Sequence, residues 1–473
     1  MAQHAIDVSD YRQLGETIGG GIVLPDDADY DEARAVWNAM IDKRPAVIVR
    51  AGSVADVAPA LAFARDHDLL IAIRGGGHNV AGHGTVDGGL VLDLAACNDV
   101  HVDPDTRIVT AGPGATLADL DAATAPHGLA VPVGVISATG IAGLALGGGF
   151  GWLTRAHGLT ADNLVAAEVV TVDGRTVRAS ATENPDLLWA LKGGGGNFGV
   201  VTSFSFSAHP LPTSVLCGNL VYSAANWTRA LRAYARWTED VPDEMTSIVT
   251  SLTPPPDWEL GAEPVVVVGF AWSGSEHQAG QDCLDRLLAA APPDVPDVAR
   301  LPWPQWQSSL DAVFPRGVRA YWRNTGLNRL DGDAIDVITR FASQQTWLGT
   351  AFDIHHMGGA FGRVDEHSSS FPSRNARYWI NIYGFWNDSA DDAHHVDFIR
   401  SLDTAMRPFS SGAQYLNFMG AEADNPLVPG APANQPSVYG EAQLARLRDV
   451  KLAYDPANLL RLNHNIPPTL AGA

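Results

Sequence analysis

The chain has 473 residues, 46% hydrophobic and 18% charged, which supplies a large core and excludes a disordered or collagen-like polypeptide. Its 31 Lys plus Arg against 53 Asp plus Glu leave a formal charge of −22, so neither nucleic acid nor an anionic membrane surface is an expected partner. Of the 47 glycines, 17 fall between Arg74 and Gly151, a density that ordinary packing does not require.

In chain order, MAQHAIDVSDYRQLGETIGGG has no basic stretch leading into an apolar one, and no later run approaches the roughly 20 apolar residues of a membrane helix. An unexported, cytoplasmic protein is expected. PAVIVR at 45–50 predicts a strand, followed by a helix capped at Ser53, and LLIAIR at 69–74 predicts the next strand. A helix is expected from Thr116 to about Pro126, and a hairpin over 162–180 around Asp173-Gly174. ENPDLLWALK predicts a helix stopped by glycines, before a strand that ends at Pro210 and Pro212.

Beyond Pro212 the texture changes. Glycine thins, ten of the 13 Trp lie between Trp227 and Trp386, and amphipathic helices at 226–241 and 276–291 alternate with β runs at 263–272 and 377–386. This pattern predicts an α+β domain, a sheet covered by helices on one face. Cys97, Cys217 and Cys283 are widely spaced without a CxxC, so buried thiols are expected. The pairs His355-His356 and His394-His395 do not make a metal site, because neighbours on a strand point oppositely and no carboxylate completes a set.

Three glycine clusters follow apolar runs: RGGGHN at 74–79, GLALGGGFG at 143–151 and KGGGGNFG at 192–199. Such runs let backbone N–H groups converge on an anionic group, and three of them point to one extended ligand. None is a GxxxxGK[ST] phosphate loop, and none stands in the setting of a dinucleotide GxGxxG.

Those clusters, with the run at 132–164, LLWALKGGGGNFGVVT at 187–202, YLN at 415–417 and YDPANLLRLNHNI at 454–466, resemble the FAD-linked oxidases of the vanillyl-alcohol oxidase superfamily, berberine bridge enzyme-like branch. The N-terminal half is especially similar to the nicotine-oxidase type. The resemblance implies a two-domain FAD-binding (PCMH-type) α+β fold, with residues 1–212 binding FAD, 213–410 forming the substrate domain and 411–473 returning to the first. It also implies that His78 bonds to the flavin 8α carbon. Many relatives add a cysteinyl link at a position that Ile136 holds here, so a single covalent link is expected.

By the same resemblance, Arg74, Gly75, Gly76, Gly77, His78 and Asn79, with Gly82 and His83, would wrap the pyrophosphate and flavin edge. Ser137, Thr139, Gly140 and Gly143 would line ring and phosphates. Asn163 and the loop Gly195, Gly196, Asn197, Phe198, Gly199 would hold the adenosine half. Asn417, Asn463 and Asn465 would meet the isoalloxazine rim. Tyr415 matches a tyrosine often assigned as the base, although a phenol near its ordinary pKa of about 10 needs help to serve at neutral pH. The strand period in FDIHHMGG puts Asp353, His355 and Met357 on one face, with His355 as the candidate polar partner of Tyr415. Tyr378, with Ile380 and Ile382, is expected to start the next strand of that wall, Tyr383 pointing the other way.

The expected activity is oxidation of an alcohol, sugar or cyclic amine by hydride transfer to flavin N5, with O₂ as acceptor, favoured by the small Gly134 and Val135. The rival expectations are a flavin-dependent cyclase acting on an aromatic natural product and a non-catalytic flavin carrier. Substrate identity and oligomeric state are not legible.

Overall fold

A computed structural model describes residues 6–254, 256, 259–420 and 438–469. Three sheets organise the chain. The first takes the order β1-β2-β4-β3 from β1 (Gly21–Val23), β2 (Val47–Arg50), β3 (Ile71–Arg74) and β4 (Leu90–Asp93), with β2, β4 and β3 parallel. The expected strand–helix unit forms here. Ser53 caps a short 3₁₀ turn that runs into the helix Val57–Asp66, whose Val57, Ala60, Leu61 and Ala64 pack on β2 and β4.

β5 (Val100–Asp103), β6 (Ile108–Ala111), a two-residue β7 (Leu129–Ala130), β8 (Leu164–Val170), β9 (Thr176–Ser180), β10 (Val200–Ser207) and β11 (His209–Pro210) follow. Five of them build an antiparallel sheet in the order β5-β6-β10-β8-β9, in which β8 and β9 are the hairpin expected around Asp173-Gly174. The helix Leu117–Thr124, capped by Thr116, packs on this sheet.

The third sheet has seven antiparallel strands: β12 (Ser214–Tyr222), β13 (Met245–Thr253), β14 (Val265–Trp272), β15 (Val295–Pro302), β16 (Arg319–Leu327), β17 (Gly349–His356) and β18 (Tyr378–Trp386), in the order β15-β12-β14-β13-β17-β18-β16. Helices Trp227–Trp237, His277–Ala290, Gly332–Ala342 and Asp392–Met406 cover one face and form with it the largest core. This is the α+β arrangement that the alternation of helix and β runs predicted. Cys97, Cys217 and Cys283 are all buried thiols. Among the described residues no helix is long and apolar enough to cross a membrane.

The chain then returns. Helix Glu441–Tyr454 and the tail to Ile466 pack into the core of the second sheet, where Leu447, Val450 and Ile466 meet Leu187, Phe198 and Leu416. All three sheets therefore supply residues to one interior cleft.

Candidate active site

A cavity of about 290 Å³ runs between the first two sheets and the uncovered face of the third. It is lined by the end of β3 and the loop after it, from Arg74 to Val80, with His83, and by Thr139, Gly140 and Gly143. Gly195, Gly196, Gly199, Asn417 and Asn463 add to this wall. Tyr415, His355 and Asp353 line it as well. Seventeen of the residues singled out by sequence thus meet around one space, although they come from six separate stretches of chain.

The glycine runs approach backbone to backbone. A Cβ on Gly76 would stand 2.6 Å from the Gly140 nitrogen, and one on Gly140 only 2.5 Å from the Gly76 nitrogen. Neither position tolerates a side chain. By contrast, Gly143 and Gly196 face open space. Several buried polar atoms on this wall have no protein partner: Arg74 Nη1, His78 Nε2, His83 Nε2, Asn463 Oδ1 and His464 Nδ1. Such groups are costly to bury unpaired. A mixed rim of donors and acceptors beside a bare backbone cradle fits the phosphates and heterocycles of FAD.

His78 stacks on Trp37 with ring centroids 4.8 Å apart. Burial pushes its imidazole down to about 4, so it is neutral near pH 7. Ile136 lines the cavity, and none of the three cysteines does.

The wall around His355 is built by strand register. β17 and β18 pair Asp353 with Asn381 and His355 with Trp379, so these four side chains share a face. His355 Nε2 lies 3.1 Å from Asp353 Oδ1, and the Tyr383 hydroxyl donates to Asp353 Oδ2 at 2.8 Å. Tyr415 accepts hydrogen bonds from the Gly149 N–H at 2.9 Å and Asn417 Nδ2 at 2.8 Å. Burial nevertheless drives its phenol well above the usual range. Asn324 fixes the Tyr415 backbone, accepting from its N–H at 2.7 Å and donating to its carbonyl at 3.2 Å.

Seven predicted residues fall elsewhere. Tyr378 occupies the helix-facing side of β18 with Ile380 and Ile382, its hydroxyl 2.5 Å from Thr238 Oγ1, while Tyr383 faces Asp353. The phase expected for this strand is therefore inverted. Gly82 turns behind the first loop against Ile41. The Ser137 N–H and hydroxyl both bind Asp311 instead of lining the cleft. Asn163 donates to the carbonyls of His157 and Leu159 and pairs with His209, a local structural role. Asn197 clamps Gly194 to the tail at His464 and Ile466. Phe198 is wholly buried in the second core. Asn465 stands outside the cavity wall, its Oδ1 buried without a partner.

Sequence reasoning missed Phe150, Phe314, Trp322, Asn381, Phe418 and His464, all of which line the cavity. His464 lies between two asparagines that were singled out, and the strand partner of Asp353 would have pointed to Asn381 had the register been known.

A family described as an FAD binding domain matches residues 45–180, and one described as berberine and berberine-like matches residues 414–467. The chain is 30% identical to an FAD-linked oxidoreductase of Dictyostelium discoideum over 97% of its own length and 96% of that protein. It is 29% identical to the (R)-6-hydroxynicotine oxidase of Paenarthrobacter nicotinovorans, over 96% of this chain and 97% of that one. The solved structure of 6-hydroxy-D-nicotine oxidase from Arthrobacter nicotinovorans superimposes with a TM-score of 0.82 at 28% identity, covering 96% of this chain and 98% of that one. The chain belongs to the FAD-linked oxidoreductases, in the berberine bridge enzyme-like branch of the vanillyl-alcohol oxidase superfamily. It is an enzyme of oxidation.

Proposed function

We propose that this enzyme carries FAD through a single bond from His78 and oxidises a CH–OH or CH–NH group, with O₂ as the final acceptor. The observation that carries the reading is the pair His355 and Asp353, facing the cavity that the glycine cradle opens into. When bound, FAD supplies the acceptor for the substrate hydride and passes two electrons on to O₂. This chain's residues manage the proton.

His355 takes the proton from the substrate oxygen or nitrogen. The Asp353 carboxylate 3.1 Å away stabilises the imidazolium that results, and Tyr383 holds that carboxylate in place. Tyr415 is a poor base here, because its phenol is raised by burial. Its oxygen already accepts two hydrogen bonds, which leaves its own proton free to be donated to the substrate heteroatom. Asn324 and Phe150 fix its position, the Phe150 ring lying 4.5 Å from that of Tyr415 and 4.8 Å from that of His355. The small Gly134 and Val135 on the cavity wall leave room for O₂.

A neutral His78 with an unpartnered Nε2 suits attachment to an electron-poor carbon. The apolar Ile136 supplies no second nucleophile. The test is anaerobic mixing of the flavin-loaded protein with alcohols and amines, then admission of air. Bleaching of the oxidised flavin band, with recovery of colour and release of hydrogen peroxide in air, is the expected result. Bleached flavin that recovers colour only with a non-oxygen acceptor would overturn the assignment of O₂.

A further inference from the structure

Resting on the oxidoreductase reading above, we infer that the substrate is an aromatic or alicyclic ring compound carrying its reacting hydroxyl or amine on or beside the ring, and is neither a sugar nor an acid. Around the His355–Asp353 pair the walls are aromatic: Phe150, Phe314, Trp322 and Phe418, with Tyr415. These rings pack among themselves. Phe418 meets Tyr415 edge-on at 4.8 Å, and Phe314 stands 5.6 Å from Tyr383, the residue behind Asp353. Rigid faces of this kind favour a flat apolar body.

The polar inventory is short and specific. Tyr415 is already engaged by Gly149 and Asn417, and Asp353 by Tyr383. Beside the Asp353 Oδ1 that faces His355, two uncharged groups on this face lack a hydrogen-bond partner: the Asn381 Oδ1, an acceptor, and the Trp322 Nε1, a donor, in side chains only 2% and 3% exposed. They sit on the adjacent strands β18 and β16. One neutral group that both donates and accepts, such as a hydroxyl or an amide, satisfies the pair. A sugar carries a hydroxyl on almost every carbon, and this wall would leave most of them buried and unpaired.

Charge excludes acids. Among the described residues Asp353 is the one carboxylate lining the cavity and Arg74 the one guanidinium; Asp93 and the Ala33 carbonyl hold its Nη2, which leaves Nη1 for the dinucleotide. With that nitrogen given to FAD, no Lys or Arg among the described lining residues is left to receive a carboxylate or phosphate on a substrate. A ring alcohol enters neutral. An aliphatic ring amine enters as the ammonium and gives a proton to His355 before its C–H is broken, and an aryl amine such as tetrahydroquinoline enters neutral. The alcohol loses a hydride to the flavin and its hydroxyl proton to His355, leaving a carbonyl; the neutral amine loses a hydride to the flavin, leaving an iminium.

The experiment uses the flavin-loaded protein. Benzylic alcohols, 1-indanol and tetrahydroquinoline are mixed with it anaerobically beside glucose, cellobiose, lactate and mandelate. Phenol and 2-naphthol, which offer no oxidisable C–H at the hydroxyl, are titrated separately against the oxidised flavin spectrum. The ring alcohols or amines should bleach the flavin, or the phenols perturb its spectrum saturably, while sugars and acids do neither. Trp322→Phe and Asn381→Leu should each weaken ring-compound binding about tenfold. Response to sugars or acids alone, or ring compounds that neither bleach nor perturb, would overturn the substrate class and leave the oxidoreductase reading intact. Failure of that reading has its own signature: phenols perturb the spectrum, yet no alcohol, amine, sugar or acid bleaches it.

Discussion

Burial sets the proton inventory of this molecule residue by residue. His78, His157 and His464 are pushed down to about 4, and His83 and His356 well below the ordinary value, in each case mainly by desolvation. The unfolded chain binds protons on these groups near pH 6.5, the folded one only far lower, so stability falls as pH drops from about 6.5 toward 4. Asp121 works in the opposite sense, because burial raises it to about 7 and the folded state takes up its proton first. Five histidines outweigh one carboxyl. The urea midpoint should therefore drop steadily between pH 6.5 and about 4.5, and a flat or rising midpoint would show that these imidazoles are not buried neutral. A second prediction concerns His78 alone. His78→Ala should release all flavin colour from the polypeptide on acid denaturation, while the native variant stays yellow through its backbone cradle; colour that stays with the denatured chain would place the link elsewhere.

At the scale of elements, strand phase decides which side chains reach the cleft. The segmentation was legible: PAVIVR, the 162–180 hairpin and the alternating helices all appear as expected. The FDIHHMGG phase was legible too, since Asp353 stands between Phe352 and Ile354 and the period of two then brings His355 to its face. YWINIYGFW carried only Asn381 as a polar marker, between Ile380 and Ile382, while all nine residues are buried and both faces carry large rings. Only pairing with β17 sets its phase, and that is long-range information. Motif matching failed in a different way. Ser137, Asn163 and Asn197 stand in the right segments, but each spends its hydrogen bonds on the chain itself.

The loop from Gly134 to Ser137 shows how one element positions another. Gln307 Nε2 donates to the Gly134 carbonyl at 2.5 Å, and Asp311 receives both polar groups of Ser137. The substrate-side segment 303–313 thus holds the loop that carries Ile136 into the cleft. Asp311→Ala leaves the buried Ser137 N–H unpaired, at a cost of about 1–3 kcal/mol. Flavin content should be unchanged while kcat/KM falls about tenfold. An unaltered kcat/KM would mean that the loop holds its place without this contact.

The whole molecule depends on its returning C-terminal segment. Lys451 and Asp455 form a wholly buried pair at 2.7 Å, and the Lys451 ammonium also donates to the carbonyls of Asn197 at 2.8 Å and Leu460 at 3.0 Å. One side chain joins the third glycine loop to the tail that supplies Asn463 and His464. Removing one member of such a pair leaves an uncompensated buried charge, so Lys451→Met should cost about 3–5 kcal/mol in urea unfolding. Replacing both, as Lys451→Met with Asp455→Leu, should recover part of that loss. A single variant as stable as the parent would contradict the pairing.

The central claim is that the cavity-facing side of β17 and β18, through His355, performs the proton step, and that the helix-facing side, through Tyr378, does not. Anaerobic stopped-flow measurement of flavin reduction at about pH 7, with any substrate that bleaches the parent, compares the two faces directly. His355→Asn should slow reduction about 100-fold or more, while Tyr378→Phe stays within about threefold of the parent. Reduction that survives His355→Asn and collapses in Tyr378→Phe would contradict the account.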